Sequence, residues 1–378
     1  MNPLRIAIVA LVLPFATPFA LASQSTRDYR LEVATVTSGL ERPWGFAFLP
    51  DGRMLVTERP GRLRVVERDG RLDPVPVAGL PRVDAQGQGG LLDVVLHPQY
   101  ASNGWVYWSY VQKDTAGDNG TEIARGRLAG GPGQWRMDSV QVLFRMAPKS
   151  GSGQHFGSRI VFDRDGLMFV TLGDRGEMAR AQRLDDHAGK ILRLTDDGKP
   201  APGNPSLGDA RARPEIFSLG HRNVQGAAIH PATGALWVSE HGPQGGDELN
   251  VVRAGANYGW PLITYGVNYV TGTKIGEGTA RAGLEQPVKY WTPSPALAGI
   301  AFVDGDRFPK WRGDLLLATM KSGALIRVRL NGDRFVEDEF MLKGELPRVR
   351  HVRMGPDGFV YLLTDDTRGA ILRLAPGD

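Results

Sequence analysis

One pattern recurs six times along this 378-residue chain and narrows what it can fold into. It is clearest at 220–260, GHRNVQGAAIHPATGALWVSEHGPQGGDELNVVRAGANYGW. A polar lead-in (His221, Arg222, Asn223) runs into a short apolar stretch at 226–229. A second stretch at 235–239 ends in Glu240 and His241, and a glycine-rich loop follows. The same order returns at 44–66 around Pro50-Asp51-Gly52, from 91 around His97-Pro98, and at 160–194 around Asp165-Gly166. It returns again at 299–330 around Asp304-Gly305 and at 351–374 around Pro356-Asp357-Gly358. Short apolar runs joined by Asp-Gly turns fold as antiparallel hairpins. No stretch keeps a 3.6-residue apolar period, so helices should be few and short.

Small sheets of this kind cannot bury both faces alone, but packed radially they bury each other. At about 59 residues per unit, six units fit the blades of a propeller with loop insertions. The expected fold is therefore all-β: a six-bladed β-propeller of four-stranded antiparallel blades. A Greek-key β-sandwich is the alternative, and it leaves six copies of one strand-turn-strand order unexplained. Residues 29–36 read as a spare strand that pairs with 370–374 and closes the ring.

The first residues differ from the rest. Arg5 is a lone positive charge, 6–21 is apolar with Pro14 and Pro18 inside it, and Ala20-Leu21-Ala22 is a small-x-small site. This reads as a signal peptide over 1–22, leaving 23–378 as a single catalytic propeller domain exported to the periplasm. The uninterrupted apolar part is short for a membrane span, which needs about 20 residues. With no cysteine there is no disulfide framework, so the domain must hold by packing. The net charge of +4 is mild, and Lys and Arg are interspersed with Asp and Glu, which excludes a nucleic-acid footprint.

In a propeller the first strand of each blade lines the central channel, so the residues just before it are the ones to read. They are Trp44, Gln88 in AQGQGG, His155 in GQHFGSRI, Arg222 and Asn223 in GHRNVQG, and Arg348 and Arg350 in PRVRHV; the fifth copy offers only Pro295 and Ala296. Converging on one axis, amides, an imidazole and three guanidinium groups make a cationic pocket suited to a flat polycarboxylate. His97 and His230, each followed by Pro at one repeat position, read as turn residues. His155 is set apart by its place on the axis and by Asp174 at the end of the next strand, where a carboxylate can hold the imidazole as a base. Arg348 and Arg350 alternate and so point the same way, though a solvated rim pair fits the spacing equally. Lys321 alone reads as a surface lysine. The loop 242–248, GPQGGDE, offers carbonyls and carboxylates of the kind calcium takes, yet alone it reads as a polar turn.

GQGGLLDVVLHP, GSRIVFDRDGLMFVTLGDRG, GHRNVQG, SEHGPQGGDELN and AGANYGWP together resemble the soluble PQQ-dependent sugar dehydrogenases, in the aldose sugar dehydrogenase branch of the glucose/sorbosone dehydrogenase family. The resemblance runs from about residue 37 to the C-terminus, and it implies a six-bladed propeller. It implies that His155 is the general base that takes the proton of the anomeric hydroxyl while hydride passes to PQQ, and that Asp174 orients it. It implies cofactor contacts at Gln88, Arg222, Asn223, Tyr269, Lys321, Arg348 and Arg350. Calcium is implied at the main-chain oxygens of Gly242 and Pro243, with a second, structural calcium at the main chain of Glu248 and Tyr258. The substrates implied are aldose sugars, oxidised to lactones, with electrons passing on to an acceptor the sequence does not name.

The chain lacks the longer inserts of the glucose dehydrogenase branch, some of which form its dimer contacts and shape its sugar site. A monomer with an open site accepting several aldoses is expected. Two other readings stand beside the dehydrogenase. A calcium-dependent propeller lactonase would need carboxylates around the axis where this chain has Arg222, Arg348 and Arg350. A non-catalytic binding propeller would not need His155 together with Asp174.

Overall fold

The structure is a computed structural model and describes residues 20–377. The expected leader, 1–22, lies almost wholly outside the described residues. Six antiparallel sheets follow one another along the chain and form the six-bladed propeller. Blade 1 holds Pro43–Phe48, Met54–Glu58 and Arg62–Val66; blade 2 holds Leu91–Leu96, Trp105–Lys113, Asn119–Ala129 and Arg136–Arg145. Blade 3 holds Ile160–Phe162, Met168–Thr171, Lys190–Leu194 and Ile216–Leu219; blade 4 holds Val224–Ile229, Leu236–Glu240, Asp247–Val252 and Lys289–Trp291. Blade 5 holds Leu297–Phe302, Leu315–Thr319, Leu325–Asn331 and Arg334–Met341, and blade 6 begins with Val349–Met354, Val360–Thr364 and Gly369–Gly377. The expected closing strand is there: Arg30–Leu40 pairs with Gly369–Gly377 in the register Val33 to Leu374 and Ser38 to Ala370. A further strand, Ala20–Ser25, pairs on its outer side, so blade 6 has five strands and blade 1 three, while the other four have four. The one α-helix among the described residues is the single turn Tyr100–Asn103, and none is long and apolar enough to cross a membrane.

Second strands such as Met54–Glu58, Leu236–Glu240 and Leu315–Thr319 are buried at every position, because both faces of a blade meet a neighbour. The apolar core is accordingly divided into six main clusters, one at each blade interface. Leu55, Val65, Val94 and Trp108 join blades 1 and 2, while Leu316, Leu325, Val352 and Leu362 join blades 5 and 6. Phe46, Val56, Leu363 and Ile371 complete the ring between blades 6 and 1.

A hydroxyl near the end of the second strand fixes each of the first four blades to the next. Thr57 Oγ1 donates to Leu92 O, Ser109 Oγ to Ser158 O at 2.7 Å, Thr171 Oγ1 to Val224 O at 3.3 Å, and Ser239 Oγ to Ala298 O at 2.6 Å. Each acceptor lies at or just before the start of the next blade's first strand, so these bonds set where the lead-in residues stand. Close approach at the axis also requires Gly226, whose place a Cβ could take only 2.3 Å from Ala298 O.

Candidate active site

In an antiparallel pair the start of the first strand and the end of the second lie at the same end of the blade. The site is built from both. In blade 3, His155 precedes the first strand and Asp174 follows the second, and His155 Nδ1 lies 2.6 Å from Asp174 Oδ1. A carboxylate can only accept, so the shared hydrogen sits on Nδ1 and Nε2 is left as an acceptor. Nε2 makes no hydrogen bond among the described residues. Asp174 is itself held by Gly176 N–H at 2.7 Å on Oδ1 and by Trp260 Nε1–H at 2.7 Å on Oδ2. Burial alone would raise its carboxyl, but the hydrogen bond and charge of His155, with the Gly176 and Trp260 donors, hold it below the ordinary value.

The backbone around this pair is strained. His155, Ser158 and Arg175 have φ of 53°, 78° and 61°, a left-handed conformation that non-glycine residues seldom take outside functional sites. His155 O presses so close to Gly173 that a Cβ there would stand 2.1 Å from it. Arg175 sustains the strain: fully buried with its guanidinium 3.5 Å over the Phe156 ring, it donates to Gln154 O, Ser152 O and Asn119 Oδ1. Gln88 Oε1 accepts His155 N–H at 2.9 Å and ties the histidine to the loop before blade 2.

Gln88, Asn223, Arg348 and Arg350 line one axial cavity, together with Trp44, Arg59, Gln225, His241 and Met320. The two arginines do point the same way, since both meet Asp365 Oδ2, Arg350 at 2.6 Å and Arg348 at 3.1 Å. Burial would raise Asp365, but the paired guanidinium charges bring it down to about 2. Arg350 also donates to Gln225 Oε1 at 2.9 Å, and its Nε is buried without a partner. Asn223 Oδ1 accepts Gly157 N–H at 3.2 Å and Gln225 Nε2–H at 3.0 Å, and its own side-chain amide N–H groups make no bond among the described residues. His241 is pressed down to about 4 by burial, with Arg222 and Arg350 adding to the effect against Asp247, so it stays neutral; its Nε2 is a second orphaned polar atom. Lys321 follows Met320 at the end of the blade 5 second strand and is exposed, with no ion pair among the described residues.

Arg222 belongs to an adjoining pocket with Gly242, Glu248, Tyr258 and Trp260, and His241 borders both. Its Nη1 donates to Gly242 O at 2.6 Å, and its guanidinium lies 5.4 Å from the Trp260 ring and 6.0 Å from that of Tyr269. Tyr269 is exposed on a loop braced by the Gln244–Val267 bridge, and its hydroxyl donates to Pro243 O at 3.0 Å. Both carbonyls expected to hold calcium therefore face the site, each met by a residue expected to touch the cofactor. Among the described residues no cluster of three or more His, Cys, Asp or Glu side chains is placed to hold a metal. Glu248 is paired across the sheet with Glu240, and burial with the charges of Glu240 and Asp247 lifts its carboxyl to about 8.

A scan of lead-in residues misses Arg59, Trp260, His241 and Asp365. Three of them share a detectable signal: each stands one or two residues beyond a buried Thr or Ser in the last two positions of a second strand (Thr57, Ser239, Thr364). Trp260 has no such signal, because it arrives from a loop outside the blade repeat.

The family model for glucose/sorbosone dehydrogenase matches residues 40–373. The chain belongs to that family. It is 44% identical over 349 residues to the Escherichia coli aldose sugar dehydrogenase YliI, covering 92% of this chain and 93% of that one. It superposes with a TM-score of 0.88 on the crystal structure of the E. coli soluble aldose sugar dehydrogenase in the apo form, at 43% identity over 92% of this chain and 100% of that one. On the PQQ-bound aldose sugar dehydrogenase of Streptomyces coelicolor the TM-score is 0.74, at 31% identity over 93% and 100% of the two chains. The family thus spans the six blades and every site residue named above.

Proposed function

We propose that the protein is an exported, PQQ- and calcium-dependent dehydrogenase that oxidises aldose sugars at the anomeric carbon to lactones. The observation that carries this reading is the His155–Asp174 pair, with Nε2 unengaged, tied through Gln88 to a pocket of amides and guanidinium groups. The relative with PQQ in its structure and the relatives named aldose sugar dehydrogenase support it.

The residues fit such a cofactor. A planar tricarboxylate needs forked donors, and Arg348, Arg350 and Arg59 supply them beside the unengaged amide of Asn223 and the orphaned Nε of Arg350. Gly242 and Pro243 carbonyls are hard oxygen donors of the kind calcium takes. Two oxygens fall short of the roughly six to eight it needs, so the cofactor and water must complete the shell. Crowding of Glu240, Asp247 and Glu248 favours a second cation near Glu248 and Tyr258. When bound, calcium and PQQ supply a polarised quinone that takes up the two electrons leaving the sugar.

The chain itself does the rest. His155 Nε2 takes the proton of the anomeric hydroxyl, and Asp174 stabilises the imidazolium that forms. Gly176 N–H and Trp260 Nε1–H keep Asp174 charged and fixed, so the base meets each sugar in one orientation. The open mouth beside Tyr269 suits several aldoses, and the chain is expected to act as a monomer with an electron acceptor yet to be identified.

A hydrolase reading has one observation to answer. Ser218, His221 and Glu240 form a chain with Oγ to Nε2 at 2.9 Å and Nδ1 to Oε1 at 3.0 Å, the layout of a serine hydrolase triad. Ser218 and His221 are completely buried and the imidazole is stacked on Tyr258, so no carbonyl substrate reaches the hydroxyl. The deciding experiment adds PQQ and calcium to purified apo-protein and follows dye reduction with a panel of sugars. Turnover should need both additions and extend to several aldoses; none with both present would end the proposal.

A further inference from the structure

The central channel continues beyond the axial pocket to the opposite face of the propeller. Midway it is plugged. Arg159 lies 4.1 Å over the Trp44 ring, pairs with Asp93 at 3.0 Å, and donates to Gln225 O from Nε at 3.2 Å and Nη2 at 3.1 Å. Arg350 approaches the same ring at 5.8 Å from the pocket side. Below this plug lies a separate cavity of about 440 Å³, walled by the far ends of the six first strands. Each blade contributes one large apolar residue to its lining: Phe48, Leu96, Phe162, Ile229, Phe302 and Met354.

One guanidinium in this cavity lacks a partner for its outer nitrogens among the described residues. Arg353 donates from Nε to His351 Nε2 at 3.1 Å, while its terminal nitrogens make no hydrogen bond and no ion pair among the described residues. Asp93 is the carboxylate whose charge bears on it, yet Asp93 already accepts from Arg159 at 3.0 Å, Ile160 N–H at 2.9 Å and Val94 N–H at 3.0 Å. Asp304 stands at the mouth, exposed, and forms no ion pair with Arg353 among the described residues. His351 adds no positive charge, because burial and the charges of Arg159, Arg353 and Arg350 hold it well below its ordinary value. Two guanidinium groups, those of buried Arg159 and half-buried Arg353, therefore face a single carboxylate in one cavity, an arrangement that favours a counter-ion at Arg353.

We propose that this second cavity binds a small organic monocarboxylate. Its carboxylate engages the free terminal nitrogens of Arg353, and its apolar body fills the ring of six side chains. One surplus positive charge matches a monoanion, and a planar guanidinium edge matches a carboxylate in paired hydrogen bonds. The apolar lining selects against inorganic anions, which gain nothing from it.

Benzoate is the probe, with neutral benzamide and inorganic phosphate as controls, each titrated into the purified full chain by calorimetry with a parallel thermal melt. Benzoate should bind once per chain and raise the melting temperature, and benzamide and phosphate at equal concentration should do neither. Arg353→Met should weaken benzoate binding by about tenfold or more, the loss expected for a charge-assisted hydrogen-bonded pair. Ile229→Trp keeps Arg353 but narrows the cavity, and should abolish the heat signal and the stabilisation even if Arg353→Met fails to fold. The proposal is overturned if benzoate does not bind, if benzamide or phosphate binds as well, or if Ile229→Trp binds benzoate undiminished.

Discussion

The two mouths of the central channel are made by the same six strands and both carry arginines, yet they are opposite in construction. At the cofactor end the arginines meet partners: Arg348 and Arg350 share Asp365, and Arg222 caps Gly242 O. At the far end Arg353 has a neutral histidine and an apolar wall. The connections differ in the same way. Far-end links in blades 1, 3 and 6 are tight turns whose aspartates cap the following backbone N–H groups, Asp51 to Arg53 at 3.1 Å and Asp163 to Leu167 at 2.8 Å among them. At the cofactor end the chain passes between blades, and the loops there vary from the short link into Val224–Ile229 to the path from Arg145 to Ile160 that carries His155. Tight hairpin turns leave little room for such variety. Chemistry therefore collects at one end, and the other keeps whatever the strands themselves project.

The largest effect expected from this contrast is on turnover. His155→Ala removes the one imidazole at the cofactor end that, among the described residues, has a carboxylate partner and an unengaged Nε2. Turnover in the dye assay should fall by roughly 10² to 10⁴, the range general-base removal gives, while PQQ binding persists. Undiminished turnover would move the chemistry elsewhere and erase the distinction between the two ends.

Next comes the buried ion pair. Arg350→Met leaves Asp365 to the half-exposed Arg348, and truncating one partner of a buried pair costs about 3–5 kcal/mol. Urea melts should show a loss of that order, and PQQ affinity should drop with it. A variant that is destabilised yet binds PQQ normally would show that Arg350 is structural, as Arg159 is in the plug.

Trp260→Phe probes a contact that comes from outside the repeat. The phenyl ring keeps a face for Arg222 but loses the donor to Asp174 Oδ2. A hydrogen bond to a charged group contributes about 1.5–3 kcal/mol, so turnover should fall roughly tenfold to a hundredfold. The donor favours the charged carboxylate; without it Asp174 titrates higher, and the acid limb of the pH profile should move upward. A lower rate with an unmoved acid limb would reduce Trp260 to packing.

These residues also mark how far the sequence could be read. The six copies and the closing strand were legible because hairpin turns and apolar runs are local signals, and ring closure follows from counting strands. The convergence of Gln88, Asn223, Arg348 and Arg350 on one cavity, and of His155 on Asp174, was legible because lead-in positions draw together once a propeller is assumed. Arg59 and His241 stand just after second strands, and only antiparallel pairing brings those ends back to the axis. Trp260 reaches Asp174 across 86 positions of sequence, a contact no local pattern encodes. Arg353 looks like an ordinary polar residue in a strand; its isolation appears only when its neighbours in five other blades are known.

The smallest effect separates the two ends by pH. Asp365 in the folded protein titrates at about 2, against an ordinary value of 3.8, because Arg350 and Arg348 outweigh its burial. A depressed carboxyl stabilises the fold only where it is ionised in both states, so its contribution is complete above pH 3.8 and is lost as pH falls through about 2. That difference corresponds to on the order of 2 kcal/mol. Asp365→Asn should therefore be less stable than the parent in urea at pH 7 and pH 5, with the gap closing between pH 4 and pH 2. The far end has no equivalent: Arg353 lacks a carboxylate of its own, so Arg353→Met should show a stability difference that stays flat over the same interval. If the Asp365→Asn gap were equally flat, the pairing that distinguishes the cofactor end would contribute nothing to the fold, and the two clusters of arginine would differ only in what surrounds them.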